Sequence, residues 1–180
     1  MTGEPGTTSA RPTAVCQRCG TPNDTVRGGH PWCGACGIYL IHDPEHGDWV
    51  SFAERDHRRR AADNQRRIAA SADQVHRAMS AVHGRMPDGW HAVARQHISG
   101  ALHTLDVEPA PAGVDAIAYL IPPTSGCRGW QVRVHNRTHR IDFPLYRDGG
   151  AQAASFDTAC DALDAAIPAL RVEIASTAHR

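Results

Sequence analysis

Residues 16–37 read CQRCGTPNDTVRGGHPWCGACG, which holds two C-x2-C pairs, Cys16 with Cys19 and Cys33 with Cys36, separated by thirteen residues. A C-x2-C turn sets two thiolates about 3.5 to 4 Å apart on one side of a tight backbone knuckle, two of the four corners that a tetrahedral Zn2+ requires. The second pair supplies the other two. Gly20 and Gly37 follow the pairs directly, where such a knuckle needs a left-handed residue. The pattern predicts a structural zinc ribbon over residues 14–43 with Cys16, Cys19, Cys33 and Cys36 as ligands and Zn2+ as cofactor. Iron, or an iron-sulfur cluster, accepts the same thiolates. A catalytic zinc is disfavoured, because four thiolates leave no open position for water. His30 and His42 read as surface or supporting groups. So small a module has almost no core, and the metal provides most of its folding free energy, of order 10 kcal/mol. Trp32, Ile38, Tyr39, Leu40 and Ile41 either pack the ribbon or form a docking face, and packing is the simpler role.

Before the ribbon, residues 1–13 are polar with Gly and Pro and read as a tail rather than an export signal. After it, Asp43, Pro44, Glu45, His46, Gly47 and Asp48 make a turn-rich break. Residues 50–83 then lack Pro and Gly, and Ile68, Ala72, Val75, Met79 and Val82 recur at steps of four and three, the period of a helix burying one narrow seam. Its first half is polar, with Glu54 and Arg58, Asp56 and Arg60, and Asp63 and Arg67 spaced four apart, acid first. Gly84, Pro87 and Gly89 end it. Asp88 would cap a second helix with Trp90, Val93, Ala94, His97, Ile98, Ala101, Leu102 and Leu105 on one face, which makes residues 50–105 a helical hairpin.

Residues 108–113, with Pro109 and Pro111, read as a linker into a region of period two, a sheet-plus-helix domain over 114–175. Residues 117–121 form a strand ended by Pro122. Trp130, Val132 and Val134 alternate with Gln131, Arg133 and His135. Ile141, Phe143 and Leu145 form one face of a further strand opposite Arg140 and Asp142, after a turn at Asn136, Arg137 and Thr138. A helix opens at Phe156, Asp157 and Thr158 with Asp157 as N-cap, and Pro168 kinks or ends it. The expected fold is α+β: zinc ribbon, helical hairpin, then a three-stranded antiparallel sheet packed on a C-terminal helix.

Gly129 and Trp130 with Val132 and Arg133, a short turn, the strand at 140–145, then Phe156, Asp157, Thr158 and Ala159 opening a helix with Ala162 and Ala165, together span about 45 residues. This order resembles the three-stranded-sheet-plus-helix DNA-binding domain of plant ethylene-response factors and phage integrases, with Tyr146 to Ala154 inserted before the helix. The resemblance implies DNA reading by the sheet in the major groove. The residues alone point the same way. If the apolar set faces the helix, Gln131, Arg133, His135 and Arg140 are exposed together, with Arg128 and Arg137 at the edges, a two-stranded basic face of groove width. The bland alternative is a solvated sheet face.

Composition bounds the rest. All 19 basic residues are arginine, which points to a high-GC bacterial genome and weakens any argument from arginine choice. Formal net charge is zero, so the chain does not simply coat nucleic acid, but residues 54–67 hold six arginines against three acids and 126–147 five against Asp142 alone. Arg58, Arg59, Arg60, Arg66 and Arg67 would add phosphate contacts. With no apolar run near the roughly 20 residues of a membrane span, the expectation is a cytoplasmic protein with no membrane partner, binding DNA as a regulator or mobile-element accessory factor. The competing expectation is an adaptor that docks a protein partner through the ribbon, or a coiled-coil homodimer through the 68–82 seam. No P-loop, Gly-x-Ser-x-Gly or metal-nuclease motif is present. His135, Asn136 and His139 lack the context of a His-Asn-His nuclease, and Cys127 and Cys160 read as a loop thiol and a core residue, so an enzyme is not expected.

Overall fold

The computed structural model describes residues 13–23, 25–97, 99–109, 116–138, 140–146 and 152–178. The expected N-terminal tail, apart from Thr13, and most of the expected 108–113 linker lie outside them. The chain divides into two compact units, Met1–Asp63 and Asn64–Arg180.

In the first unit, β1 (Ala14–Val15) pairs with β2 (Pro22–Asn23), and β3 (Val26–Arg27), β4 (His30–Cys33), β5 (Ile38–Asp43) and β6 (Asp48–Ser51) form an antiparallel sheet in that order. The ribbon therefore runs to Ser51, because the 43–48 break is a tight hairpin turn. Gly47 N–H donates to the Asp43 carbonyl at 2.7 Å with Gly47 at φ 71°, and the Asp43 carboxylate accepts from Glu45 N–H. The helix α1 (Phe52–His83) follows at once. Its start is written as Ser51-x-x-Glu54: Ser51 Oγ accepts from Glu54 N–H at 3.1 Å, an N-cap that satisfies one of the four free donors of the first turn.

From Asn64 on, α1 belongs to the second unit, with β7 (His91–Gln96), β8 (His103–Glu108), β9 (Ala116–Ile121), β10 (Gln131–Asn136), β11 (Ile141–Pro144) and α2 (Ala159–Ala178). The five strands form an antiparallel sheet in the order β11-β10-β9-β8-β7. The expected helical hairpin and three-stranded sheet are both corrected here: the segment read as a second helix is the β7–β8 hairpin, and it adds two strands to the sheet. Gly100, a weak point in a helix, is the turn residue, at φ 68° with its N–H on the His97 carbonyl at 2.7 Å. In β8, Thr104, Leu105, Asp106 and Val107 are all buried. Four consecutive buried residues carry no alternation, and the alanines of β7 fit either period.

One face of the sheet holds the core. Leu105 and Val107 of β8, Ala118 and Leu120 of β9, and Val132 and Val134 of β10 cluster with Val75 and Val82 of α1 and with Ala162, Leu163, Ala166 and Leu170 of α2. The α1 seam is thus spent on its own unit. Ser71 Oγ also accepts from His103 N–H at 2.8 Å, tying the helix to β8. In α2 the N-cap is Thr158, not Asp157: Asp161 N–H donates to Thr158 Oγ1 at 3.1 Å and Thr158 N–H to Asp161 Oδ2 at 3.2 Å, a complete capping box. The helix continues through Pro168, forgoing one hydrogen bond to the Asp164 carbonyl. Trp130 and Phe156 exchange backbone hydrogen bonds of 2.7 and 2.8 Å. Gly129 makes that approach possible, since a Cβ there would sit 2.7 Å from the Phe156 carbonyl oxygen.

Candidate metal centre and the open face of the sheet

Each C-x2-C pair sits on the turn of a hairpin, the first between β1 and β2, the second between β4 and β5. Gly20 N–H donates to the Cys16 carbonyl at 2.7 Å and Gly37 N–H to that of Cys33 at 2.8 Å, with both glycines at positive φ, 71° and 67°. The four sulfurs of Cys16, Cys19, Cys33 and Cys36 lie within 4.8 Å of one another, and Cys19 Sγ is 3.5 Å from Cys33 Sγ. A metal-sulfur distance of about 2.3 Å gives tetrahedral edges of roughly 3.8 Å, so the cluster is of a size to close on one ion. Cys16, Cys33, Ala14 and Leu40 are the buried core of this unit, with Ile38 and Trp49 against them. That core is small, as four thiolates and one leucine must be.

Without an ion the thiols resist ionising together. The Thr21 hydroxyl, 3.2 Å from Cys19 Sγ, favours the thiolate there and brings Cys19 down to about 6. Cys36 is pushed up to about 12, first by Cys19 and then by burial, and burial raises Cys16. A divalent cation reverses this by neutralising charge at the centre. His30 and His42 are exposed and stack edge-on against Phe52 and Trp49, at 5.4 and 5.3 Å between ring centres. On the face of β4 and β5 opposite the thiols, Trp32 and Tyr39 pack at 4.8 Å, and the Arg27 guanidinium lies 4.9 Å over Trp32.

The arginines expected to hold phosphate at the start of α1 have other partners. Arg58 donates to Asp48 at 3.0 Å, Asp43 at 3.3 Å and Glu54 at 3.2 Å, so it fastens the first helical turns to the β5–β6 hairpin. Burial pushes the Asp43 carboxyl up, but His46, the Glu45 N–H and Arg58 outweigh it and hold it below its usual value. Arg59 and Arg60 both reach Asp56, and Arg67 bonds Asn64.

Among the described residues no helix covers the other face of the five-stranded sheet, which is open in that sense. Gln131, Arg133 and His135 project there, half-buried, as the alternation requires, while Val132 and Val134 point to the core. Arg140 does not join them. It sits in the β10–β11 turn at φ 52°, the one non-glycine residue at positive φ among the described residues, and is exposed. Arg128 is exposed in the loop before Trp130. Nor is the face uniformly basic. Arg133 donates to Asp142 at 3.0 Å, and Arg95 lies 2.6 Å from Glu108 and 3.9 Å from Asp106. The Arg137 guanidinium makes no ion pair among the described residues, and it lines a depression of about 570 Å³ with His97, Leu102, Tyr119, Ile121 and His135. Tyr119 has ring centres of His97 at 5.6 Å and His135 at 6.3 Å. The sequence did not mark Tyr119 or His97: β9 is apolar throughout, so no alternation sets Tyr119 apart, and the stretch holding His97 reads as a helix.

Asp106, 4% exposed beside Tyr119 in the register, accepts from the Thr104 hydroxyl at 2.7 Å. Burial pushes its carboxyl above the usual 3.8, against the pull of Thr104 and Arg95. A carboxyl raised on folding contributes stability below about 3.8 that is lost as pH rises through the folded-state value. Asp106→Asn is therefore expected to gain thermal stability relative to the parent as pH rises from 4 towards neutrality, measured by melts across that series. An unchanged difference at every pH would show that Asp106 titrates normally.

This chain matches no family model, no curated protein and no solved structure.

Proposed function

We propose that the chain is a non-catalytic, zinc-containing DNA-binding protein in which the ribbon is structural and the open sheet face meets the nucleic acid. Four thiolates saturate zinc and leave it no reactive position. The observation that carries the reading is the grouping of Arg133, His135 and Arg137 around one depression on the open face, with Arg128 and Arg140 exposed in loops of the same unit. Arg137, Arg140 and Arg128 are exposed cations of this unit that can meet phosphate, which fits a chain of zero net charge that binds without coating. Three phosphate contacts correspond to a slope of log affinity against log salt of roughly −2 to −3. Binding of short DNA followed across a salt series is expected to show that slope, with Arg137→Ala and Arg140→Ala reducing it.

A second reading, an adaptor, rests on the ribbon surface, where Val26, Tyr39 and Phe52 are each more than two-fifths exposed around Trp32 and Arg27. Absence of DNA binding even at low salt overturns the first reading in favour of this one.

A further inference from the structure

We infer that the depression on the open sheet face takes an unstacked base of a single-stranded nucleic acid, with a flanking phosphate at Arg137. This rests on the nucleic-acid reading above and narrows it. Width separates single strand from duplex. Five strands about 4.8 Å apart span roughly 19 Å between the outer strands, whereas the major groove is about 12 Å wide. The face cannot lie flat in that groove, and β10, which carries Arg133 and His135, is flanked on both sides by other strands.

A single strand has no such limit, and the chemistry of the depression suits its parts. Tyr119, Leu102 and Ile121 give an apolar and aromatic floor, and the His97 and His135 rings stand 5.6 and 6.3 Å from the Tyr119 ring centre. Every base has a π-face, so stacking on such a floor is tolerant of sequence. The volume, about 570 Å³, falls in the range of ordinary ligand sites. Arg133 is held by Asp142, which leaves the Arg137 guanidinium to meet a phosphate oxygen at the rim, where its planar fork can donate twice.

The test uses the full zinc-loaded chain with an oligothymidylate of about 15 nucleotides, near the upper site size of single-strand binders, and a duplex of equal length. The single strand is expected to bind at least tenfold tighter. Tyr119→Leu, which keeps apolar volume but removes the ring, is expected to weaken single-strand binding by roughly 5- to 100-fold and leave helix content and zinc content unchanged. Because Tyr119→Leu could itself disturb the sheet, a measurement on the unaltered chain stands beside it. Titration with thymidine monophosphate is expected to move the NMR signals of Tyr119, Ile121 and His135, and ribose phosphate without a base is not. Equal affinity for both forms, insensitive to Tyr119→Leu, overturns the stacking site and leaves the broader reading standing. Binding of neither form overturns both.

Discussion

Chelating the metal, or replacing Cys33 by Ser, is expected to unfold residues 14–51 and to leave the second unit folded. The thiols and Leu40 are the greater part of the first unit's buried core, so no apolar reserve holds the four-stranded sheet once the ion is gone. The loss is of order 10 kcal/mol for the module, far beyond what its hairpins supply. Mass spectrometry should find one zinc in the parent and none after chelation. The near-ultraviolet signal of Trp32 and Trp49 should collapse, while the urea transition of the second unit stays where it was. A single transition that moves as a whole would contradict the division at Asp63 and Asn64.

The second large effect is expected at Val75. Its side chain is 1% exposed in a core shared by α1, the sheet and α2, and Val75→Asp puts an unpaired carboxylate there. Such a substitution costs about 3–5 kcal/mol, a large part of the roughly 5–15 kcal/mol that holds a domain together. The urea midpoint of the second unit should fall sharply with zinc content unchanged. If the 68–82 seam is a dimer interface, the same variant is a folded monomer. Light scattering and circular dichroism of one sample separate these outcomes.

The sequence was most legible where chemistry fixes spacing. Cys16, Cys19, Cys33 and Cys36 with Gly20 and Gly37 specify knuckle, handedness and ligand set together, and the structure gathers those four sulfurs. The β10 alternation and the long α1 helix were equally plain, each with one covered side. Legibility ended at residues 90–105. Alanine satisfies the helical and the strand period alike, and β8 buries four consecutive residues, so the packing of neighbours decided what local pattern did not. The same error hid the open face: with residues 90–105 read as a helix, β10 and β11 looked like an isolated basic ribbon, and nothing set the acids Asp106 and Glu108 beside Arg95. The caps at Ser51 and Thr158 are spelled in the sequence as Ser51-x-x-Glu54 and Thr158-x-x-Asp161.

The outer strand β11 is four residues long and ends in Pro144, which pairs with Arg133. An imide nitrogen has no hydrogen to offer, so a foreign strand arriving at this border finds its ladder of bonds interrupted. At the opposite border, β7 presents exposed His91, Arg95 and Gln96, and a charged side chain there must be desolvated before a neighbour can add. The sheet is thereby guarded against growing from chain to chain into aggregates, even at the high local concentration of a crowded polysome.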